Sequence, residues 1–160
     1  MQLNVLLYPD SALRTTCIAS DDVTDELRDL ALNMVATMYT NNGIGLAAPQ
    51  IGNFSRTIVI NQGTSSLIMF NPKIVEASAD EKPTSEGCLS FPGQYVKISR
   101  PSDIVASWMD MNGNEQKESF SGMASTCIQH EIDHLDKKLI IDYAKPLKRE
   151  LIEKKMRNRK

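Results

Sequence analysis

The residues most capable of chemistry lie near the C-terminal end of this 160-residue chain, in Gln129-His130-Glu131-Ile132-Asp133-His134. The two histidines of this His-Glu-x-x-His segment are the only two in the protein. Four residues apart on a helix, they share one face at about 6 Å along the axis and can grip one metal ion. Glu131, turned away by about 100°, can reach a water held by that ion without binding the ion itself. The competing account is a chance match on a solvated helix, which residue frequencies place at well under about one in a hundred for a chain this long. A catalytic metal takes three protein ligands and keeps a fourth position for water. After His134 comes Leu135-Asp136-Lys137-Lys138 with no further histidine, so a thiolate is the natural third ligand. Cys127 shares the helix but lies seven residues from His134, about 10.5 Å along the axis. That span favours lining the site over ligating, although spacing leaves Cys127 open as a ligand. Cys88, beside Gly87 in what reads as a loop, can be brought to the helix from elsewhere in the fold and is preferred. Cys17 has no nearby ligand partner and reads as a small buried or incidental thiol.

Several elements must position these groups. An acidic start at Asp21, then Leu27, Leu30, Ala31, Met34, Val35 and Met38, predicts an amphipathic helix over about 23–41, stopped by Asn41-Asn42-Gly43. Gly43-Ile44-Gly45-Leu46-Ala47-Ala48-Pro49-Gln50 follows. Its glycines and small residues permit close backbone approach, and it lacks the Gly-Lys-Ser/Thr ending of a phosphate loop. Gln50 taken alone reads as a turn cap. Strands are expected at 57–61, 67–70 and 73–78, with Asn71-Pro72 separating the last two. Residues 95–99, 104–110 and 116–121 read as an antiparallel set, with Asn112-Gly113 as a hairpin turn. The motif helix runs from Gly122 to about Asp136, and Lys145-Pro146 opens a last helix. Helices around largely antiparallel sheets make an α+β fold, with the His-Glu-x-x-His helix central, as one domain over residues 1–160.

Composition narrows the class. A 41% hydrophobic content supports ordinary globular folding, and no N-terminal stretch or apolar run has signal-peptide or bilayer-spanning character. Three cysteines cannot all pair within one chain, which favours a reducing cytosol. The net charge of −2 hides an asymmetry: residues 145–160 hold eight Lys/Arg against Glu150 and Glu153, or +6, leaving −8 on the body. Such a tail can touch nucleic acid or an acidic surface, or simply be a solvated helix end with cations near the negative dipole pole.

Three segments, taken together, resemble the peptide deformylase family: Gly43–Gln50 (GIGLAAPQ), Glu86–Ser90 (EGCLS) and Gln129–His134 (QHEIDH) followed by Leu135. Each alone is modest; in this order and chain length they are specific, and the resemblance covers nearly the whole chain. It implies a hydrolase that removes the formyl group from the N-terminal formyl-methionine of new polypeptides, releasing formate. It implies one Fe(II), often replaced by zinc or nickel in preparations, on Cys88, His130 and His134. Glu131 becomes the proton shuttle, and Gln50 with the Leu89 backbone N–H becomes the pair of donors to the formyl oxygen. The backbone around Ile44 and Gly45 takes the substrate peptide as an added strand. Ile44, Met123, Thr126 and Cys127 line a pocket for its methionine side chain, Thr126 being more polar than the usual aliphatic residue. Arg100 is expected to pair with Glu86 behind Cys88. Lys137 stands where the family commonly has glycine, which implies a different helix cap or some strain. The resemblance further suggests a cytoplasmic monomer of bacterial, phage or organellar origin, with no membrane or specific DNA partner. Its basic C-terminal helix is expected to dock on the ribosome, so deleting residues 146–160 should weaken that binding and spare peptide turnover. The rivals are a small metallopeptidase using the same helix and a metal-stabilised RNA- or ribosome-binding module.

Overall fold

The computed structural model describes residues 3–159. Helix α1 (Asp25–Thr40) starts where Thr24 accepts a hydrogen bond from the Leu27 N–H, with Asp25 and Glu26 in the first turn. It buries Ala31, Met34 and Met38, the i, i+3, i+7 stripe of an amphipathic helix. No helix among the described residues is long and apolar enough to cross a membrane.

Five antiparallel strands form the larger sheet: β1 (Gly45–Ala47), β2 (Thr57–Asn61), β3 (Ser66–Ala77), β6 (Asp103–Met109) and β7 (Glu115–Ser121), in the order β1-β2-β3-β6-β7. A separate two-stranded sheet pairs β4 (Glu81–Cys88) with β5 (Phe91–Pro101). The apolar run of β2 is explained by burial on both faces. Ile58 and Ile60 point to the cluster shared with Ile128, Ile132 and Leu135 of helix α2 (Gly122–Leu135). Val59, between them, packs with Met34, Met38 and Leu46 on the α1 side. Each such side chain contributes about 1.5–3 kcal/mol on full burial. Helix α2 contacts β1, β2, β3, β6 and β7 of the larger sheet and β5 of the smaller one. Helix α3 (Pro146–Arg157), with proline in its first turn, sends Ile152 and Met156 into a third cluster with Leu13, Phe91, Val96 and Ile98.

Four expectations change. Asn71-Pro72 does not divide two strands: β3 is continuous, with a register shift between Phe70 and Lys73. Asn71 there adopts a positive φ of 51° and its side chain donates to the Ser20 carbonyl, so the irregularity is absorbed as a bulge. Cys88 ends strand β4 instead of sitting in a loop; only Leu89 and Ser90 form the turn to β5. Residues 95–99 belong to β5 and pair with β4, not with β6 and β7. Finally, a deletion of 146–160 would remove buried Ile152 and Met156 from beneath Phe91, so it is no neutral truncation. Lys160 lies outside the described residues.

The cap at Lys137 is now explicit. The Lys138 N–H donates to the Asp133 carbonyl (2.8 Å) and the Lys137 N–H to that of His134 (3.2 Å). These are the two bonds of a Schellman motif, with Lys137 at φ 66° in the position that favours glycine. The cap is therefore the ordinary one, carried at some strain, and Arg14 Nη1 holds the Lys137 carbonyl at 2.9 Å.

Candidate active site

Helix α2 turns His130, Glu131 and His134 into the interior, all three buried. The end of β4 brings Cys88 to them, 46 positions from His134 in sequence, with Sγ 3.3 Å from His134 Nε2. One ligand atom from each of Cys88, His130 and His134 lies within 4.8 Å of the others. Sulfur and nitrogen ligands on one tetrahedral cation stand about 3.5 Å apart, so the donors are near a binding arrangement. Soft thiolate and borderline imidazole suit iron or zinc and not calcium or magnesium. Cys127 is not part of this group: its thiol donates to the Ile44 carbonyl at 3.2 Å, and burial pushes its pKa well up, which keeps it protonated.

Charges behind the cluster orient it. Glu86 Oε1 meets His130 Nδ1 at 3.0 Å, which leaves Nε2 to face the centre. Arg100 clamps Glu86 from behind, Nε to Oε2 at 2.6 Å and Nη2 to Oε1 at 2.9 Å, and also donates from Nη1 to Asp133 Oδ2 at 2.9 Å. Tyr143 Oη donates to the same Asp133 oxygen at 2.7 Å. Burial alone would raise the Glu86 carboxyl, but its bonds with His130 and Arg100 outweigh that and lower it. The Glu86–Arg100 pair was expected; Asp133 and Tyr143 were not. Asp133 shares the helix with both histidines and offered a weak signal, whereas Tyr143 offered none.

Glu131 is the third acidic group. Burial pushes its carboxyl up to about 7, with the positive side of His130 pulling the other way. Its Oε2 stands 3.9 Å from His130 Nε2, and its Oε1 is buried with no hydrogen-bond partner among the described residues, an acceptor that a metal-held water would satisfy. In the metal-free cluster His130 is held well above the ordinary imidazole range, because Glu131, Cys88 and Glu86 outweigh its burial. His134 is driven well below that range by burial and by His130. A divalent cation would take over the positive charge that His130 then carries.

Gln50 does more than cap a turn. Its Oε1 accepts the Ala47 N–H at 2.9 Å, and its Nε2 donates to Ser90 Oγ (3.1 Å) and toward Cys88 Sγ (3.4 Å). The buried amide is thus locked with its N–H groups toward Cys88 Sγ and Ser90 Oγ. A cleft of about 720 Å³ opens over the cluster, and Ile44, Gly45, Gln50, Cys88, Leu89 and Cys127 line it together with His130 and Glu131. His134 is buried beneath the lining. Met123, which is 71% exposed, and Thr126 are not part of the lining; they continue the Cys127/His130 face of α2 by one turn toward solvent. The cleft also takes in Leu7, Tyr95 and Arg159, none of them expected. Gly45 is a close approach: a Cβ there would sit 2.5 Å from Glu131 Oε2 and 2.8 Å from Cys127 Sγ. As the outer strand of its sheet, β1 pairs with β2 alone among the strands.

Comparison with known proteins gives one answer. The family model for polypeptide deformylase matches residues 2–150. The peptide deformylase of Endomicrobium trichonymphae is 43% identical over 99% of this chain and 96% of its own length. That of Thermodesulfovibrio yellowstonii is 40% identical over 99% and 98%. Among solved structures, the Legionella pneumophila peptide deformylase superposes with a TM-score of 0.93 at 35% identity, covering 98% of this chain and 94% of that one. The Synechococcus elongatus enzyme, crystallised with actinonin, gives 0.91 at 37% identity over 96% and 85%. The superpositions support the α+β fold of antiparallel sheets and three helices. This chain belongs to the polypeptide deformylase family, hydrolases that remove the formyl group from N-terminal methionine.

Proposed function

We propose that this chain removes the formyl group of new polypeptides with one Fe(II) held by Cys88, His130 and His134, a site that zinc or nickel can also fill. The observation that carries the reading is the convergence of three soft or borderline donors beside buried Glu131, whose Oε1 is unpartnered among the described residues, in a cleft bordered by an outer strand. When bound, the cation acidifies water and polarises the formyl carbonyl. Glu131, buried beside His130, takes the proton from the attacking water and returns it to the departing amine. Formate and a free N-terminus result. Gln50 Nε2, already aimed at Cys88, and the Leu89 backbone N–H donate to the formyl oxygen as negative charge builds there, each donor worth on the order of a hundredfold in rate. The peptide backbone adds to β1 along Ile44 and Gly45, and its methionine side chain rests against Ile44 and Cys127, with Met123 and Thr126 one helical turn further out on α2, outside the lining.

The sheets wrapped around α2, the amphipathic α1 and the basic α3 act as one catalytic domain over residues 1–160, working as a monomer in the cytoplasm. Exposed Lys148, Lys154 and Lys155 support docking of α3 on the ribosome. Charge reversal at these three tests that docking, because it leaves Ile152 and Met156 in the core. The decisive experiment is formate release from a formyl-Met tripeptide by anaerobically prepared, Fe(II)- or Ni(II)-loaded protein. Turnover that Glu131→Ala abolishes, with metal content unchanged, supports the assignment. Cleavage of unformylated peptide without formate release would point to a metallopeptidase, and no turnover at full metal occupancy would mark the site as structural.

A further inference from the structure

Arg159, just past the end of α3, lines the same cleft as the candidate catalytic residues, and its side chain is the only Lys or Arg among the described lining residues. The position is anchored: the Arg159 N–H donates to the Met156 carbonyl at 3.3 Å, and Met156 is buried in one cluster with Phe91, which also lines the cleft. Arg159 is exposed, and its guanidinium has no ion-pair or hydrogen-bond partner among the described residues. Arg149, by contrast, is engaged with Glu153 and Asp142. An unpaired planar cation at the edge of a cleft, on a chain whose residues 1–144 sum to −8, is suited to a carboxylate. Among the described residues Arg159 has no hydrogen bond or ion pair with Cys88, His130 or Glu131, which leaves it to a part of the cleft away from the formyl group.

We propose that Arg159 is a specificity-determining position that recognises a carboxylate of the substrate peptide beyond its formyl-methionine. The proposal rests on the deformylase reading of the cleft and deepens it. The carboxylate can come from an Asp or Glu side chain or from the C-terminus of a short peptide. Either way the tail that makes α3 basic also serves the cleft. An acidic substrate repelled by the body as a whole gains one local attraction, and the gain should fade with salt.

The test compares metal-loaded wild type, Arg159→Ala and Arg157→Ala, the last an exposed arginine of the same tail outside the cleft lining. Substrates are formyl-Met-Ala-Ala-Ala amide, its variants with each Ala replaced in turn by Asp or by Asn, and the parent tetrapeptide as free acid. Wild type and Arg157→Ala should favour the carboxylate partner in kcat/KM by about two- to fivefold at low salt, as expected for one partly solvated charge pair. In Arg159→Ala the ratio should fall to about one. A preference within the Asp/Asn amides assigns the side chain as the source; one confined to free acid over amide assigns the terminus. Equal rates for all partners in wild type, a preference surviving in Arg159→Ala, or the same loss in Arg157→Ala would overturn the proposal. Wild-type turnover of the parent amide shows separately whether the deformylase reading stands.

Discussion

Gly45→Ala isolates the placement of Glu131 from its chemistry. The added Cβ would lie 2.5 Å from Glu131 Oε2, where ordinary contact begins at 3.4 Å, so something must give by about 0.9 Å. The backbone of Gly45 is held, because β1 pairs with β2 through Gly45↔Ile60 and Leu46↔Val59, both partners buried. On the other side Cys127 Sγ, at 2.8 Å from the same Cβ, is tied to the Ile44 carbonyl. The carboxylate is therefore the part that moves, and being 3% exposed it has little room to relax. A misplacement near 1 Å of a group that must meet the attacking water loses about a hundredfold in rate. The assay is kcat for formate release at saturating formyl-Met peptide, with metal content measured in parallel. Gly87→Ala is an internal control: its Cβ would meet Tyr95 Cε1 at 2.7 Å, but Tyr95 is 59% exposed and can swing aside. A Gly45→Ala enzyme with full metal and kcat within threefold of wild type would refute the reasoning, as would an equal loss in Gly87→Ala.

Three further outcomes follow from particular contacts. Arg100→Met leaves buried Glu86 and half-buried Asp133 without their cation, and should destabilise the protein by about 3–5 kcal/mol in urea titration and weaken metal binding about tenfold; a loss under about 1 kcal/mol would show the network to be dispensable. Lys137→Gly relieves the positive φ at an otherwise complete cap and should raise stability by about 0.5–1 kcal/mol, read as a higher denaturation midpoint with unchanged kinetics. Asp142→Asn removes the carboxylate that Arg14 grips at 2.6 and 2.8 Å and that also accepts the Leu139 N–H. Burial works to raise the Asp142 carboxyl, but these bonds lower it below the usual aspartate value. Its folded pKa being the depressed one, its contribution is fully present above the unfolded pKa of about 3.9 and is lost as pH falls through the folded value. Discounted for solvent access at Arg14, the difference between wild type and Asp142→Asn should be about 1 kcal/mol or less at pH 7 and shrink below pH 4. A gap that widened on acidification would contradict this sign.

What could be read from the chain alone was what short-range geometry determines. Helix periodicity places His130 and His134 on one face with Glu131 beside them, and the apolar stripe of 23–41 with its acidic start predicts α1 to within two residues. Pro146 marks the first turn of α3 for the same local reason. The third ligand was different: spacing on one helix could only disfavour Cys127, and it took the pairing of β4 with β5 to carry Cys88 to His134 across 46 residues. Strand partnership is set by contacts between distant segments, and alternation of side chains carries no record of which edge a strand will meet. For that reason the pattern of residues 95–99 points to β6 and β7 although they pair with β4, and Asn71-Pro72 reads as a break although β3 absorbs it as a bulge. The hydrogen-bonded chain from His130 through Glu86 and Arg100 to Asp133 and Tyr143, and the arrival of Arg159 at the cleft, belong to the same class. Each joins side chains from different elements, and only the packed core brings those elements together.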